Sequence, residues 1–383
     1  MQRQAIYTRE NADVLTENGR EWNFHDAETQ EHLHTLHPYP AKFIPQIPRK
    51  AIKTWTIKGD LVYDPFAGCG TALLEASLLG RPSIGTDNNA VAILVSRAKT
   101  ANYSSTDVSA IRAFMSDFDR TPLNAKPRRE LIPNNKNFLY WFSEDVLDRL
   151  SVLKGLILAT AEPVRTMLLA VFSSIIVRVS YQDSDTRYAK IEKTIRPTNV
   201  DKVFKAKLAE VLKRLQEIIL SDRAPVIIHQ ADARSVPFIG SGSVSLIITS
   251  PPYLNAYDYH KYHRQRIHWI EGDVECARDI EIGSHDEFTK PKATPEKYFS
   301  DMDACFGEWA RVMRRGGRCV LVIGDAIVSK QAVRVGDTFV DLMERRGFLI
   351  EARWIRKLHS TKRAFNVRNS RISSEHVLLF QMA

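Results

Sequence analysis

The sequence predicts an α/β protein with a doubly wound, mostly parallel sheet and an inserted helical subdomain. Three observations carry this expectation. Residues 60–100 alternate strand and helix patterns with glycine turns between them, the rhythm of a parallel sheet with crossover helices. From about 105 to 220 apolar residues recur at three-four spacing without a strand–turn–strand rhythm. Strand patterns then resume and alternate with helices to residue 380.

Residues 1–30 are polar and are expected to be partly ordered at best. His37-Pro-Tyr-Pro-Ala-Lys-Phe43 gives a stiff aromatic turn that leads into a helix near Ile44–Lys53. Leu61–Asp64 reads as a strand, followed by a Gly-x-Gly turn at Gly68 and Gly70 and a helix through Ala72–Leu79. Such glycines let backbone approach a ligand, and the helix start offers free N–H groups. Asp64 on the same turn suits a cationic group better than a phosphate. A second strand, 82–86, ends at Asp87, where an acid suits ribose hydroxyls. The crossover should be right-handed, with ligands at the strand C-termini. A helix at Ala90–Lys99 follows.

The insert is expected to hold helices at Val108–Phe118, Glu144–Ala161, Pro163–Val179 and Val203–Leu220, and is too long for a simple connection. Val226–Arg234 is a further strand with Asp232 just past its end. Val244–Thr249 is apolar enough for a buried strand and runs into Ser250-Pro-Pro-Tyr253. Two prolines fix φ and lack N–H donors, so the ladder stops and a stiff turn begins. Its carbonyls, the Ser250 hydroxyl and the Tyr253 ring could together hold a flat ring with an exocyclic amine. An ordinary strand end with a Pro-rich turn is the other reading. The tail is expected as helix Tyr298–Arg314, strand Arg318–Ile323, helix Val335–Arg346 and strands Phe348–Arg356 and Glu375–Phe380.

The 383 residues, 44% apolar and 26% charged, describe a globular chain of one large domain or two ordinary ones. No apolar run is long enough to span a membrane, and Met1-Gln-Arg-Gln-Ala5 lacks a signal-peptide pattern. Cys69, Cys276, Cys305 and Cys319 form neither zinc pairs nor a disulfide framework, which fits a reducing cytosol. The net charge is +9. Two basic runs, 187–214 and 353–371, read either as solvated faces or as a phosphate-tracking surface.

Two motifs together identify a family. Asp64-Pro-Phe-Ala-Gly-Cys-Gly-Thr71 resembles the S-adenosylmethionine loop of DNA amino-methyltransferases. Thr249-Ser-Pro-Pro-Tyr253 is similar to their catalytic motif in the form typical of cytosine-N4 enzymes; adenine-N6 relatives usually carry an acid or Asn where this chain has Ser250. His37–Pro45 and Ser370–Phe380 also look similar to this family. The order of cofactor loop, insert and Ser-Pro-Pro-Tyr fits one permutation of it, while many cytosine-N4 enzymes have the reverse order.

The resemblance implies a Rossmann-like class I methyltransferase sheet with an antiparallel last strand. It implies an S-adenosyl-L-methionine site at Lys42, Phe43, Asp64, Pro65, Phe66, Gly68, Gly70, Thr71, Asp87, Asn88, Asp232 and Ala233. Asp232 would receive the adenine amino group. Catalysis would fall to Ser250, Pro251, Pro252 and Tyr253, acting on the N4 amine of a flipped cytosine. The expected division is 1–104 and 223–383 for the two halves of the methyltransferase domain, with 105–222 as a candidate target-recognition region.

DNA is the expected partner, with a cognate restriction endonuclease also possible within such systems and a prokaryotic cytosol or nucleoid as the location. Candidate DNA contacts are Tyr257, His260 and Arg264 after the catalytic turn, Arg178, Asp183 and Arg187 in a polar stretch that also reads as a capped loop, and Arg363 and Arg368. His260 and His263 lack a third ligand nearby, so no metal is expected. Adenine N6, an amine on RNA, and a non-enzymatic nucleic-acid binder are the alternatives.

Overall fold

The computed structural model describes residues 21–135, 137–219, 222–288, 294–358 and 374–383. The chain enters through helix α1 (Gln46–Trp55) and then alternates: β1 (Val62–Asp64), α2 (Thr71–Leu78), β2 (Ser83–Asp87), α3 (Ala90–Thr100). Helices α4 (Ser105–Arg120), α5 (Glu144–Leu158) and α6 (Val164–Ile175) open the insert. A small hairpin, β3 (Gln182–Ser184) with β4 (Arg187–Lys190), precedes α7 (Pro197–Ile218). The expected absence of paired strands in this region is therefore corrected. The hairpin is polar and three to four residues per strand, too short to print an alternating pattern. Helix α7 begins before the expected Val203, because Pro197 fixes a helical φ at the first turn, where its missing N–H costs nothing.

Strands β5 (Val226–Gln230) and β6 (Val244–Thr249) lead to α8 (Glu296–Val312) and β7 (Met313–Ile323). A second hairpin, β8 (Ala326–Val328) with β9 (Gln331–Val333), precedes α9 (Val335–Arg345), β10 (Phe348–Lys357) and β11 (Ser374–Met382). The main sheet has the order β10-β11-β7-β6-β1-β2-β5. Its β7, β6, β1, β2 and β5 pair in parallel, while β11 runs antiparallel to both β7 and β10. The doubly wound, mostly parallel sheet with an antiparallel last strand is thus present.

Strand alternation sorts the core into layers. Tyr63, Ile247, Cys319, Leu321, Leu378 and Phe380 face α8 and α9 with Phe306, Trp309 and Phe339. Their neighbours Val62, Leu246, Ile248, Val320, Val322, Val377 and Leu379 face α1 and α2. Trp22 closes this second layer: it is buried, stacks on Trp55 at 6.1 Å and packs on Trp354 at 5.4 Å. Residues 21–30 are accordingly better fixed than their polarity suggests. The insert packs on α3: Val91, Val95 and Ala98 belong to one cluster with Phe118, Leu150, Phe172, Phe204 and Trp269.

Strand order reverses between β1 and β6. Successive strands β1, β2, β5 step one way and β6, β7 the other. A crevice opens at the carboxyl ends of strands at such a point.

Candidate active site

Asp64 ends β1 and Thr249 ends β6, so the two meet at the reversal; the Thr249 hydroxyl donates to Asp64 Oδ1 at 2.7 Å. The chain then turns through Gly68 and Gly70 with φ of +48° and +72°, a region L side chains rarely enter. A Cβ at Gly70 would meet Ser96 Cβ at 2.7 Å, so the loop presses directly on α3. Asp87, at the end of β2, fastens this loop by accepting the Gly68 N–H at 2.8 Å and the Asn89 N–H at 2.9 Å.

One cleft runs along these strand ends. Of the expected cofactor residues, Lys42, Phe43, Asp64, Pro65, Phe66, Gly68, Thr71, Asp87, Asn88, Asp232 and Ala233 line it; Gly70 stands behind the lining, packed against α3. Ser250 and Pro252 open into the same cleft, whereas Pro251 and Tyr253 lie outside its lining. Lys42 turns its ammonium away, to the His34 carbonyl at 2.7 Å.

The electrostatics are unusual for a buried acidic site. Asp64 is 3% exposed. Burial pushes its carboxyl up to about 7, against the hydrogen bonds from Thr249 and the Phe66 N–H. Burial likewise raises Asp87 to about 6. Neither forms an ion pair among the described residues. Asp232 differs: Arg234 clasps both its oxygens, the shortest contact being 2.6 Å, and Arg234 also reaches Asp301 at 2.6 Å.

The turn after β6 is braced from outside. Tyr298 donates its hydroxyl to the Pro252 carbonyl at 2.9 Å. Tyr253 donates to Glu375 at 2.8 Å, and Glu375 pairs with Arg356 at 2.6 Å, tying the turn to β11 and β10. The Ser250 hydroxyl lies 3.5 Å from the Tyr253 oxygen.

Several lining residues were not anticipated. Tyr259, Ala277, Ile280, Glu281 and Ile282 come from the short helical turns and their connections after Ser250–Tyr253. Glu281 accepts the N–H groups of Tyr259 at 2.7 Å and His260 at 3.1 Å, and meets His260 Nδ1 at 2.6 Å. His260, expected as a DNA contact, is 3% exposed and buttresses Glu281. Tyr39 also lines the cleft, with its ring 4.8 Å from that of His263.

Tyr257 is half-buried beside Tyr259 at 5.6 Å. Arg264, more than a third exposed, points to a second cavity. Arg178 is exposed and Arg187 pairs with Asp183 at 3.2 Å, while Val179, Ser180 and Gln182 between them are buried. Arg363 and Arg368 lie outside the described residues.

Residues 2–97 match the model of the N6/N4 methyltransferase family described as DNA methylase. A Type II methyltransferase of Kocuria varians, M.MvaI, is 25% identical over 291 residues, covering 70% of this chain. The chain spans 63% of that relative's length. A Type II methyltransferase of Methanocaldococcus jannaschii, M.MjaII, is 34% identical over 92 residues, 24% of this chain and 17% of its own. A solved SAM-dependent methyltransferase of Methanosarcina mazei aligns with 90% of this chain and 98% of its own, at 10% identity and a TM-score of 0.35.

The residues lining the cleft fit S-adenosyl-L-methionine. Two buried carboxyls without cation partners suit a ligand that brings positive charge and hydroxyls, and Phe66, Ala233 and Ile282 offer apolar wall to a flat ring. In its strand order, its glycine loop and these matches, the chain is similar to the N4/N6 amino-methyltransferase family of DNA methylases, the family model covering its first quarter.

Proposed function

We propose that this chain is a Type II DNA methyltransferase acting on the exocyclic N4 amine of cytosine, with the base turned out of the duplex. The observation that carries the reading is that Ser250 and Pro252 open into the cleft that Asp64 and Asp87 line. Methyl donor and amine would therefore share one enclosure. When bound, the cofactor supplies an electrophilic methyl group on a sulfonium.

The chain's part is positioning. An aromatic amine is a poor nucleophile, because its lone pair is delocalised into the ring. The Ser250 hydroxyl and the Pro251 carbonyl would accept the two N4–H bonds and let the nitrogen become pyramidal. The Tyr298 hydroxyl, donated to the Pro252 carbonyl, fixes the turn beside Ser250. Once methylated, the nitrogen would give up one proton to solvent. Such preorganised contacts and in-line placement supply the rate without a covalent enzyme intermediate. Extrusion of the base is required because the amine is otherwise shielded in the stack.

Ser250 supports cytosine over adenine through the neutral hydroxyl it offers. Residues 105–222 would contribute target recognition, and a cognate nuclease would be the natural partner of such an enzyme. The deciding experiment is mass analysis of nucleosides from DNA incubated with the protein and methyl-labelled cofactor. N4-methylcytosine is expected; N6-methyladenine would overturn the reading of Ser250.

A further inference from the structure

A second cavity lies on the insert side of the segment that follows the catalytic turn. Tyr259 of this segment lines the first cleft, while Arg264, Gln265 and His268 line the second. The opposite wall is aromatic. Trp141 lies 4.7 Å from Tyr188 and 5.1 Å from Tyr140, centroid to centroid. The volume is about 350 Å³, within the roughly 300–1,000 Å³ range of small-molecule sites.

Two features show that this cavity is more than a packing gap. Gln265 is 2% exposed, and no donor among the described residues reaches its Oε1. A buried amide oxygen without a partner is costly, and such a group calls for a ligand donor or another functional account. The rim is also wet and basic: Tyr140 is 53% exposed with Lys190 Nζ 4.2 Å above its ring, and Arg264 stands at the edge.

We propose that this cavity binds an unstacked nucleobase of the DNA, distinct from the one that is methylated, and so reads a neighbouring position. This rests on the reading that the chain acts on DNA. The Trp141, Tyr140 and Tyr188 rings supply faces for stacking, which tolerates any base. Selectivity comes from Gln265 Oε1, which accepts from an exocyclic amine, the group that distinguishes adenine and cytosine edges. Lys190 and Arg264 meet the phosphates on either side. Because residues 259–268 contribute to both cavities, occupancy of the second is linked through the chain to the shape of the first.

The test is photo-crosslinking with duplex DNA in which 5-iodocytosine replaces cytosine, followed by peptide mapping. Adducts are expected on Trp141, Tyr140 or Tyr188. Their yield should fall about tenfold or more in Tyr140→Ala, a change at an exposed ring, and in Gln265→Leu. Gln265→Leu removes a partnerless acceptor together with a long 3.4 Å contact from Nε2 to the Tyr188 oxygen, so its unfolding midpoint should change little, which separates lost recognition from lost folding.

Adducts confined to other peptides, or an undiminished yield in both variants, would overturn the proposal. Nucleoside analysis of the same samples keeps the two readings apart. Adducts here with adenine methylation break only the cytosine reading. Cytosine methylation without adducts here breaks only this one. Failure to retain DNA at all removes both.

Discussion

Two buried carboxylate sites lie on either side of α2, and they are built in opposite ways. Glu75, on α2, is 1% exposed, yet its carboxyl is held below the ordinary range. Burial raises it, but hydrogen bonds from His34 at 2.8 Å and from Arg49 at 2.7 and 2.9 Å more than offset that. Asp64 and Asp87, at the strand ends, are buried with hydroxyl and amide donors but no cation, and are pushed up. The first site is electrically complete within the fold. The second has its negative charge waiting for a positive ligand. Perturbed carboxyls in a cleft of this kind are the physical mark of a functional site.

The largest expected effect breaks the complete site. Arg49→Ala leaves Glu75 with only a neutral His34, whose own basicity burial lowers to about 4. Loss of about 3 kcal/mol in urea unfolding is expected, with the cleft chemistry spared. Asp64→Asn should lose far less stability, having no ion pair to break. An equal loss in both would erase the contrast.

Next comes cofactor affinity. Asp87→Ala should weaken S-adenosyl-L-methionine binding by about 1.5–3 kcal/mol in calorimetry, through lost charge-assisted hydrogen bonds.

Acidity sharpens the comparison further. Between about pH 4 and pH 7 the folded Asp64, and up to about pH 6 the folded Asp87, hold protons that the unfolded chain has released, given ordinary carboxyls near 3.9. Their contribution to stability therefore falls as pH rises through that window. Glu75, lowered in the fold, contributes above the ordinary carboxyl range and is lost as pH falls below it. Unfolding at pH 5 and pH 7.5 should show a shallower decline for Asp64→Asn than for the parent. Cofactor affinity should move the other way, gaining with pH until both carboxyls are ionised.

The smaller expected effects concern the turn. Ser250→Ala removes one acceptor of two, so its single-turnover loss should stay below the roughly 2.7–4 kcal/mol seen for an oxyanion donor. Tyr253→Phe loses the Glu375 hydrogen bond and the longer Ser250 contact, about 1 kcal/mol in thermal or urea unfolding.

Much of the cleft was legible because its parts are local. Asp64, Asp87 and Asp232 each follow a strand, and parallel strands carry such ends to one edge. Glu281 was not legible. It comes from a region of four- to six-residue helices, too short to show periodicity, and its place depends on folding back over Tyr259 and His260. His260 illustrates the complementary error: a ring among tyrosines and lysines looks exposed until a distant carboxylate claims it. The braces Tyr298 and Glu375 were hidden for the same reason, lying 46 and 122 residues from the turn groups they hold.

The position of β11 has a consequence for synthesis. It pairs with both β7 and β10, and β10 has no other strand neighbour among the described residues. As the chain leaves the ribosome, β7 presents one bare edge and β10 two, until residues 374–382 arrive. At roughly 5–20 residues per second, the interval from Lys357 to Ser374 lasts about one to a few seconds. Over that time the growing chain carries open strand edges, which favour pairing with other chains. Chaperone dependence of the newly made chain should therefore track delays between these two strands, and slow codons there should lower soluble yield while leaving the finished protein unaltered.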